Sequence, residues 1–296
     1  QGIVDKANLQ PTDTVFEIGP GTGNLTVKIL ERVSKVIVVE RDPRMAAELL
    51  KRVQGTPEQR KLQVIVGDVL QVEWPFFDVC ISNTPYQISS PLTFKLLQHR
   101  PRFRCAVLMF QREFALRMVA RPGDALYCRL SVNVQFAARC QHIMKISKNS
   151  FRPPPKVESS VVRLEPKAVG TECEGVELGE WDCLIRHLFS RKNKTIASCL
   201  NTNDVLGVME QSFKTHCSLN NIALPEPLNV KDMMVQCIKE AGLEGQRSSK
   251  LALEDYMRLL KTFHKAGFRF SGAAATIPLA MDLEDEEDIC MDSDSE

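Results

Sequence analysis

Five short runs constrain this chain more than any other feature, because each is apolar at consecutive positions where a half-exposed strand would alternate. They are "TVFEIG" (14–19), "KVIVVE" (35–40), "LQVIVGD" (62–68), "FFDVCIS" (76–82) and "CAVLMF" (105–110). A strand apolar on both faces needs cover on both, which is the habit of parallel sheets sandwiched between helices. Helical spacing fills the gaps. Leu25, Ile29, Leu30 and Val33 recur at that spacing, and further helical stretches run from Pro43 to Gln54, from Pro91 to His99 and from Gln111 to Ala120. Pro43 stands where a first helical residue tolerates losing its amide. The alternation predicts an α/β, doubly wound, Rossmann-like sheet.

From Tyr127 the pattern turns β-rich, and "RLSVNVQFAA" (129–138), "HIMKIS" (142–147) and "SSVVRLE" (159–165) are expected to complete the sheet, with an antiparallel strand at one edge. "KNSFRPPPKVESS" (148–160) interrupts them, and three consecutive prolines cannot join a central ladder, so it is read as a loop. The stretch 167–179 reads as a linker. Beyond it "WDCLIRHLFSRKNKTIASCL", "VKDMMVQCIKEAGL" and "LALEDYMRLLKTF" show helical periods. The expected organisation is a sheet domain over 1–166, a small helical domain over 180–268 and an acidic tail over 269–296. At 296 residues the chain is long for one core and comfortable for two.

Charge is distributed unevenly. The formal net charge is +1, yet residues 281–296 hold nine acids and no base, which leaves residues 1–280 with 38 bases against 28 acids. A body so basic suggests a polyanionic partner, while the tail is expected to be disordered, either a solubilising end or a weak competitor for the basic surface. Ten cysteines occur without a C-x-x-C pair, which argues against a zinc module and a disulfide framework; they read as reduced, mostly buried thiols, and no metal is expected. No apolar run reaches the roughly 18 residues of a membrane span, and the amino end lacks a signal-peptide pattern, so a cytosolic or nuclear protein is expected. The chain starts at Gln1 with no strand before Thr14, from which further residues ahead of Gln1 are expected.

Chemistry concentrates at the ends of the apolar runs. In "EIGPGTGN" (17–24) Gly19, Gly21 and Gly23 let the backbone turn sharply and approach a ligand that a Cβ would obstruct. The spacing G-x-G-x-G departs from the dinucleotide fingerprint G-x-G-x-x-G. Glu40 closes the second run, where an acid can accept from ribose hydroxyls, and Asp68 closes the third, placed to receive an adenine amine. Glu17 precedes the turn, and no Lys or Arg lies between it and Lys28. A carboxylate there suits a cationic ligand such as the sulfonium and amino group of S-adenosyl-L-methionine, and disfavours dinucleotides.

These segments, "EIGPGTGN", "VVERDP", "VGDVL", "SNTPYQISSP" and "FRPPPKVESSVVRL", together resemble the ribosomal RNA adenine dimethyltransferases, over about Gln1 to Phe268. The resemblance implies transfer of methyl groups from S-adenosyl-L-methionine to the exocyclic amines of two adjacent adenosines near the 3′ end of small-subunit rRNA. It also implies action on a pre-ribosomal particle, in the nucleus and nucleolus, by an expected monomer with no membrane association. An adenine amine is a poor nucleophile because its lone pair is conjugated into the ring, and acceptors on both its hydrogens pull the nitrogen towards tetrahedral geometry. By resemblance those acceptors are the Asn83 side chain, which also borders the cofactor, and the Thr84 carbonyl. Pro85 holds Thr84 extended, Tyr86 offers a face for a flipped-out base, and Phe151 closes over the base from the other side. The family more often carries Leu or Ile where Thr84 stands, and its usual segment over the methionine end of the cofactor would fall before Gln1. Two basic regions are candidates for the RNA backbone: His99–Arg104 ("HRPRFR") with Arg112, Arg117 and Arg121, and Arg191–Lys194 ("RKNK").

Three other readings compete. One keeps the fold and rRNA binding but makes the chain an assembly factor whose catalysis is dispensable. Another is a mitochondrial transcription-factor relative. DNA adenine methylation is the third, disfavoured by the small helical domain and the lack of a base-reading element.

Overall fold

The computed structural model describes residues 2–150, 157–167 and 176–270. Contacts divide them into two compact units, one built from 2–119 and 137–167, the other from 120–136 and 176–270.

In the first unit the five apolar runs become β1 (Thr14–Ile18), β2 (Lys35–Glu40), β3 (Leu62–Val66), β4 (Val79–Asn83) and β5 (Cys105–Gln111), all parallel to one another. β6 (Ala138–Ile146) and β7 (Ser159–Pro166) add an antiparallel edge, and the order across the sheet is β3-β2-β1-β4-β5-β7-β6. Helix α1 (Gly2–Lys6) precedes β1, α2 (Thr26–Leu30) follows it, α3 (Pro43–Val53) follows β2, α4 (Ser89–Gln98) follows β4 and α5 (Arg112–Val119) follows β5. α3 starts as the sequence predicts, with Pro43 in its first turn and Asp42 accepting from the Arg44 amide at 2.9 Å. Successive strand residues point to opposite faces. Val15, Val79, Ile81, Val107 and Met109 bury one face under Val4, Ile29, Leu30 and Leu49. Phe16, Cys80 and Leu108 are buried on the other. Each such side chain contributes about 1.5–3 kcal/mol relative to exposure. Val4 and Ala7 therefore give a structural job to a segment where the sequence reading placed no element.

One expected strand is a helix. Residues 129–138 were predicted to extend the sheet; instead Arg129–Ala137 forms α6, within the second unit except at its last residue. Leu130, Val132, Val134 and Phe136 imitate strand alternation, but the helix is buried on nearly every side, so it carries no polar face to betray its period. Its helical signal lies in the spacing of Arg129 and Asn133, one turn apart. Both reach Asp182 of α7 (Leu178–Phe189): Arg129 donates through Nε at 3.1 Å and Nη2 at 2.9 Å, and Asn133 through Nδ2 at 2.5 Å. Arg186 adds a fourth bond at 3.3 Å. Phe136 stacks on Trp181 with centroids 4.0 Å apart, and the Tyr127 hydroxyl donates to the Leu251 carbonyl at 3.0 Å. The unit is completed by α8 (Ile196–Leu200), α9 (Asn203–Leu219), α10 (Val230–Glu240) and α11 (Leu253–Lys265). Thr195, Thr202 and Asn229 cap α8, α9 and α10.

Candidate active site

The sheet positions the site. β1 leads outward to β2 and β3, and the chain then returns on the other side of β1 as β4 and β5, so the winding reverses between β1 and β4. Ligands of open α/β sheets bind beyond the carboxyl ends of the strands at such a reversal. Four neighbouring strands present their carboxyl ends there in spatial order: Asp68 after β3, Glu40 at the end of β2, Gly19 after β1 and Asn83 at the end of β4.

The glycine turn is built from left-handed residues. Gly19, Gly21 and Gly23 have φ of 63°, 54° and 80°, a region that favours glycine. The Gly19 amide donates to the Val39 carbonyl at 3.0 Å, and the Gly21 amide to Glu40 Oε2 at 3.0 Å. A Cβ on Gly21 would meet nothing within 4 Å, so the turn has an open side there. Gly23 is the reverse, because a Cβ would lie 2.3 Å from Leu49 Cδ1, whose side chain is wholly buried. Gly23→Ala is expected to lower stability by about 2–5 kcal/mol, from left-handed strain plus overpacking. Thermal unfolding of the variant checks it, and an unchanged midpoint would contradict the geometry.

Glu40 ties the glycine turn to the end of β2. Its Oε1 accepts from the Asp42 amide at 2.9 Å while Oε2 holds Gly21. A carboxylate offers about four lone-pair sites, so two bonds to its own backbone leave acceptor capacity for a pair of ribose hydroxyls. Asp68 is similarly half committed, with Oδ1 accepting from the Leu70 amide at 2.9 Å.

Glu17 differs from expectation. It is only 1% exposed, and its Oε2 has no hydrogen-bond partner. Burial pushes its carboxyl up to about 8, the nearby Thr26 hydroxyl opposing and the Glu40 charge adding. At neutral pH the neutral form dominates, so Glu17 does not present the carboxylate that the sequence reading set against a sulfonium; the acids available at the edge are Glu40 and Asp68. Folding then holds a proton that the unfolded chain loses above its ordinary value of 4.5. Stability from this group is fully present below pH 4.5 and is lost as pH rises towards 8, at about 1.4 kcal/mol per pH unit. Glu17→Gln is expected to flatten that slope by one proton in urea titrations run across the window without ligand.

The segment after β4 packs on the glycine turn. A Cβ on Gly19 would sit 3.7 Å from the Pro85 ring. The Ser82 hydroxyl donates to the Ile18 carbonyl at 2.9 Å, and the Thr84 hydroxyl donates to Ser82 Oγ at 3.2 Å. Thr84 is buried, and its amide continues the ladder to the Met109 carbonyl at 3.2 Å. Its hydroxyl is thus satisfied inside, which accommodates a polar side chain at this buried position. Ser82 is a functional residue that the motif alone does not single out; its signal is a hydroxyl near the end of an otherwise apolar strand. Asn83, between them, is exposed at the strand end. Tyr86 is half-buried, its hydroxyl 2.8 Å from Ser159 Oγ. Phe151 lies outside the described residues.

The first basic region divides. Arg104 is locked to Asp13 by two bonds of 2.8 and 2.7 Å, and its amide donates to the Asp78 carbonyl at 2.8 Å. These residues precede β1, β4 and β5, so His99–Arg104 lies at the amino edge of the sheet, a strand's length, about 17–20 Å, from the site. Arg104 there joins strand starts, through Asp13 before β1 and Asp78 before β4. Arg112 follows β5 on the correct edge, 3.6 Å from Glu158. Arg117 faces Glu113 at 3.8 Å, and Arg121 is exposed in the second unit. Within Arg191–Lys194, Arg191 donates to the Ser198 carbonyl and Lys192 to that of Ala125, while Lys194 is exposed. Among the described residues no cluster of three or more His, Cys, Asp or Glu is placed to hold a metal, and no helix is long and apolar enough to cross a membrane.

A left-handed glycine turn at the winding reversal, an acid closing β2 and an exposed amide closing β4 define a Rossmann-like S-adenosylmethionine-dependent methyltransferase. A model of the family described as ribosomal RNA adenine dimethylase matches residues 1–238. The chain belongs to this family, whose members dimethylate adenine in rRNA with S-adenosylmethionine as donor. It is 56% identical to a dimethyladenosine transferase of Schizosaccharomyces pombe over 92% of this chain and 87% of that one. The corresponding enzyme of Saccharomyces cerevisiae is 52% identical over 92% and 86%. Among solved structures, a dimethyladenosine transferase from Plasmodium falciparum superposes with a TM-score of 0.83 at 42% identity, covering 91% of this chain and 98% of that one. The 23S rRNA methyltransferase ErmE gives a TM-score of 0.62 at 26% identity, covering 89% and 96%.

Proposed function

We propose that the substrate is the small-subunit rRNA of a pre-ribosomal particle, and that two adjacent adenosines near its 3′ end each receive two methyl groups. The observation that carries the reading is the exposed Asn83 amide at the end of β4, packed through Pro85 against the glycine turn. The bound donor supplies an electrophilic methyl on its sulfonium. Glu40 would hold the ribose hydroxyls and Asp68 the adenine amine of that donor, beside the open flank of Gly21. Asn83 Oδ1 and the Thr84 carbonyl accept the two N6 hydrogens of the target adenine and aim its lone pair across the reversal. Tyr86, its hydroxyl tied to Ser159, is held as a stacking surface worth about 1–3 kcal/mol per base. Amide and peptide oxygens are acceptors and weak bases, so the proton lost after transfer leaves to solvent. The second transfer starts from a nitrogen with one hydrogen and engages one acceptor.

The chain acts as a monomer in the nucleolus on this reading, where its basic body of 38 bases against 28 acids faces rRNA phosphates. The relatives' own names, transferases in each case, favour catalysis over a purely structural assembly role. Nucleoside mass spectrometry of small-subunit pre-rRNA particles incubated with the protein and isotopically labelled donor tests it. Label is expected in dimethyladenosine at two neighbouring positions; label absent from small-subunit rRNA, or confined to isolated single adenosines, would sink the proposal.

A further inference from the structure

Lys95, in the middle of α4, has no part in the mechanism above, yet its ammonium is fully spent. It donates to the carbonyls of Val69 at 3.0 Å, Leu70 at 2.8 Å and Val72 at 2.9 Å, which exhausts the three donors of a lysine. It also lies 5.0 Å from the centroid of the Trp74 ring, and the Trp74 indole donates to Val69 as well, at 2.8 Å. The stretch it grips is the turn that begins at Asp68. The Asp68 carboxylate accepts from Leu70, and its carbonyl accepts from the amides of Gln71 and Val72, both at 2.9 Å. The amides of this turn thus converge on Asp68 and its carbonyls on Lys95, an acid at one end of the turn's dipole and a cation at the other. Burial lowers the lysine's affinity for its proton and the Asp68 charge opposes that loss. Helix α4 itself follows directly from Tyr86–Ile88, so one side chain joins the element carrying the target-base motif to the turn carrying Asp68.

We propose that Lys95 is a positioning residue for the adenine end of the methyl donor, fixing the turn that aims Asp68 and thereby setting donor affinity and selectivity for adenine. This rests on the reading of Asp68 as the acceptor of the adenine amine. Lys95→Met keeps most of the stem and removes the three bonds. Its Kd for S-adenosylhomocysteine, measured by calorimetry, is expected to rise about tenfold to a hundredfold. The preference for S-adenosylhomocysteine over its inosine counterpart, which lacks the amine, shrinks in parallel, and kcat at saturating donor falls much less than the affinity. In ligand-free protein the amides of residues 69–72 exchange faster, with those of β1 and β4 unchanged. Asp68→Ala, which removes the acceptor outright, separates the two ideas. If Asp68→Ala erases the adenine preference and Lys95→Met does not, the positioning role is overturned. If Asp68→Ala itself leaves the preference intact, the underlying reading of Asp68 fails and takes the proposal with it. Collapse of the sheet unit in both Lys95→Met and Lys95→Gln would make the residue a general stability element and overturn the proposal equally.

Discussion

Asn83→Ala is expected to slow methyl transfer to rRNA about a hundredfold to a thousandfold, the loss typical of one acceptor or donor aimed at developing charge. Thermal stability and donor affinity should change little by comparison. The side chain is exposed at the end of β4, and the ladder and hydroxyl contacts that hold the segment belong to Ser82 and Thr84 on either side. Single-turnover incorporation of labelled methyl at saturating donor separates the two quantities. A variant that binds donor normally and still dimethylates at the parental rate would remove Asn83 from the chemistry and leave Thr84 and Tyr86 to account for it. The conservative exchange Asn83→Asp offers oxygen acceptors but adds a negative charge, so its activity reports whether geometry or charge is the stricter demand.

The second large effect concerns stability and sits in the helical unit. Arg129 and Asp182 are 4% and 3% exposed, and Asp182 takes bonds from Arg129, Asn133 and Arg186. Asp182→Ala is expected to cost about 3–5 kcal/mol, because it removes a buried carboxylate on which Arg129, Asn133 and Arg186 converge. Replacing Arg129 and Asp182 together by apolar residues of similar volume is expected to cost far less, since the desolvation penalty of both ions disappears with them. The chain has two tryptophans, Trp74 in the sheet unit and Trp181 in the helical unit, so urea unfolding followed by fluorescence in a Trp74→Phe background reports the helical unit selectively. Equal costs for the single and double replacements would contradict the ion-pair account.

The parallel sheet was legible because the inner strands, buried on both faces, cannot hide their composition, and Glu40 was legible because it ends such a strand; β3, before Asp68, is an edge strand whose apolar run is only partly covered. α6 was not, because a helix buried all round shows no amphipathic stripe and its four alternating apolar residues fit a strand equally well. The i, i+4 pair Arg129 and Asn133 was the neglected clue, meaningful only once Asp182 is seen 49 residues on. Glu17 was identified by position, but its ionisation depends on burial and on Glu40, neither of which spacing reveals. His99–Arg104 precedes β5, and residues that precede a parallel strand stand at the amino edge, so any phosphate it meets lies away from the carboxyl ends where the donor binds. That the Thr84 hydroxyl is satisfied by Ser82 depends on a fold contact two residues back that spacing alone does not show.

Residues 120–136 interrupt the sheet unit in sequence and belong to the helical one in space, so the backbone crosses from one unit to the other more than once. A truncation at 167 would therefore not deliver a self-sufficient catalytic half; it would strand a greasy, guanidinium-bearing segment stripped of Asp182, Trp181 and Leu251. Grafting either half onto a relative requires exchanging both pieces of the helical unit at once.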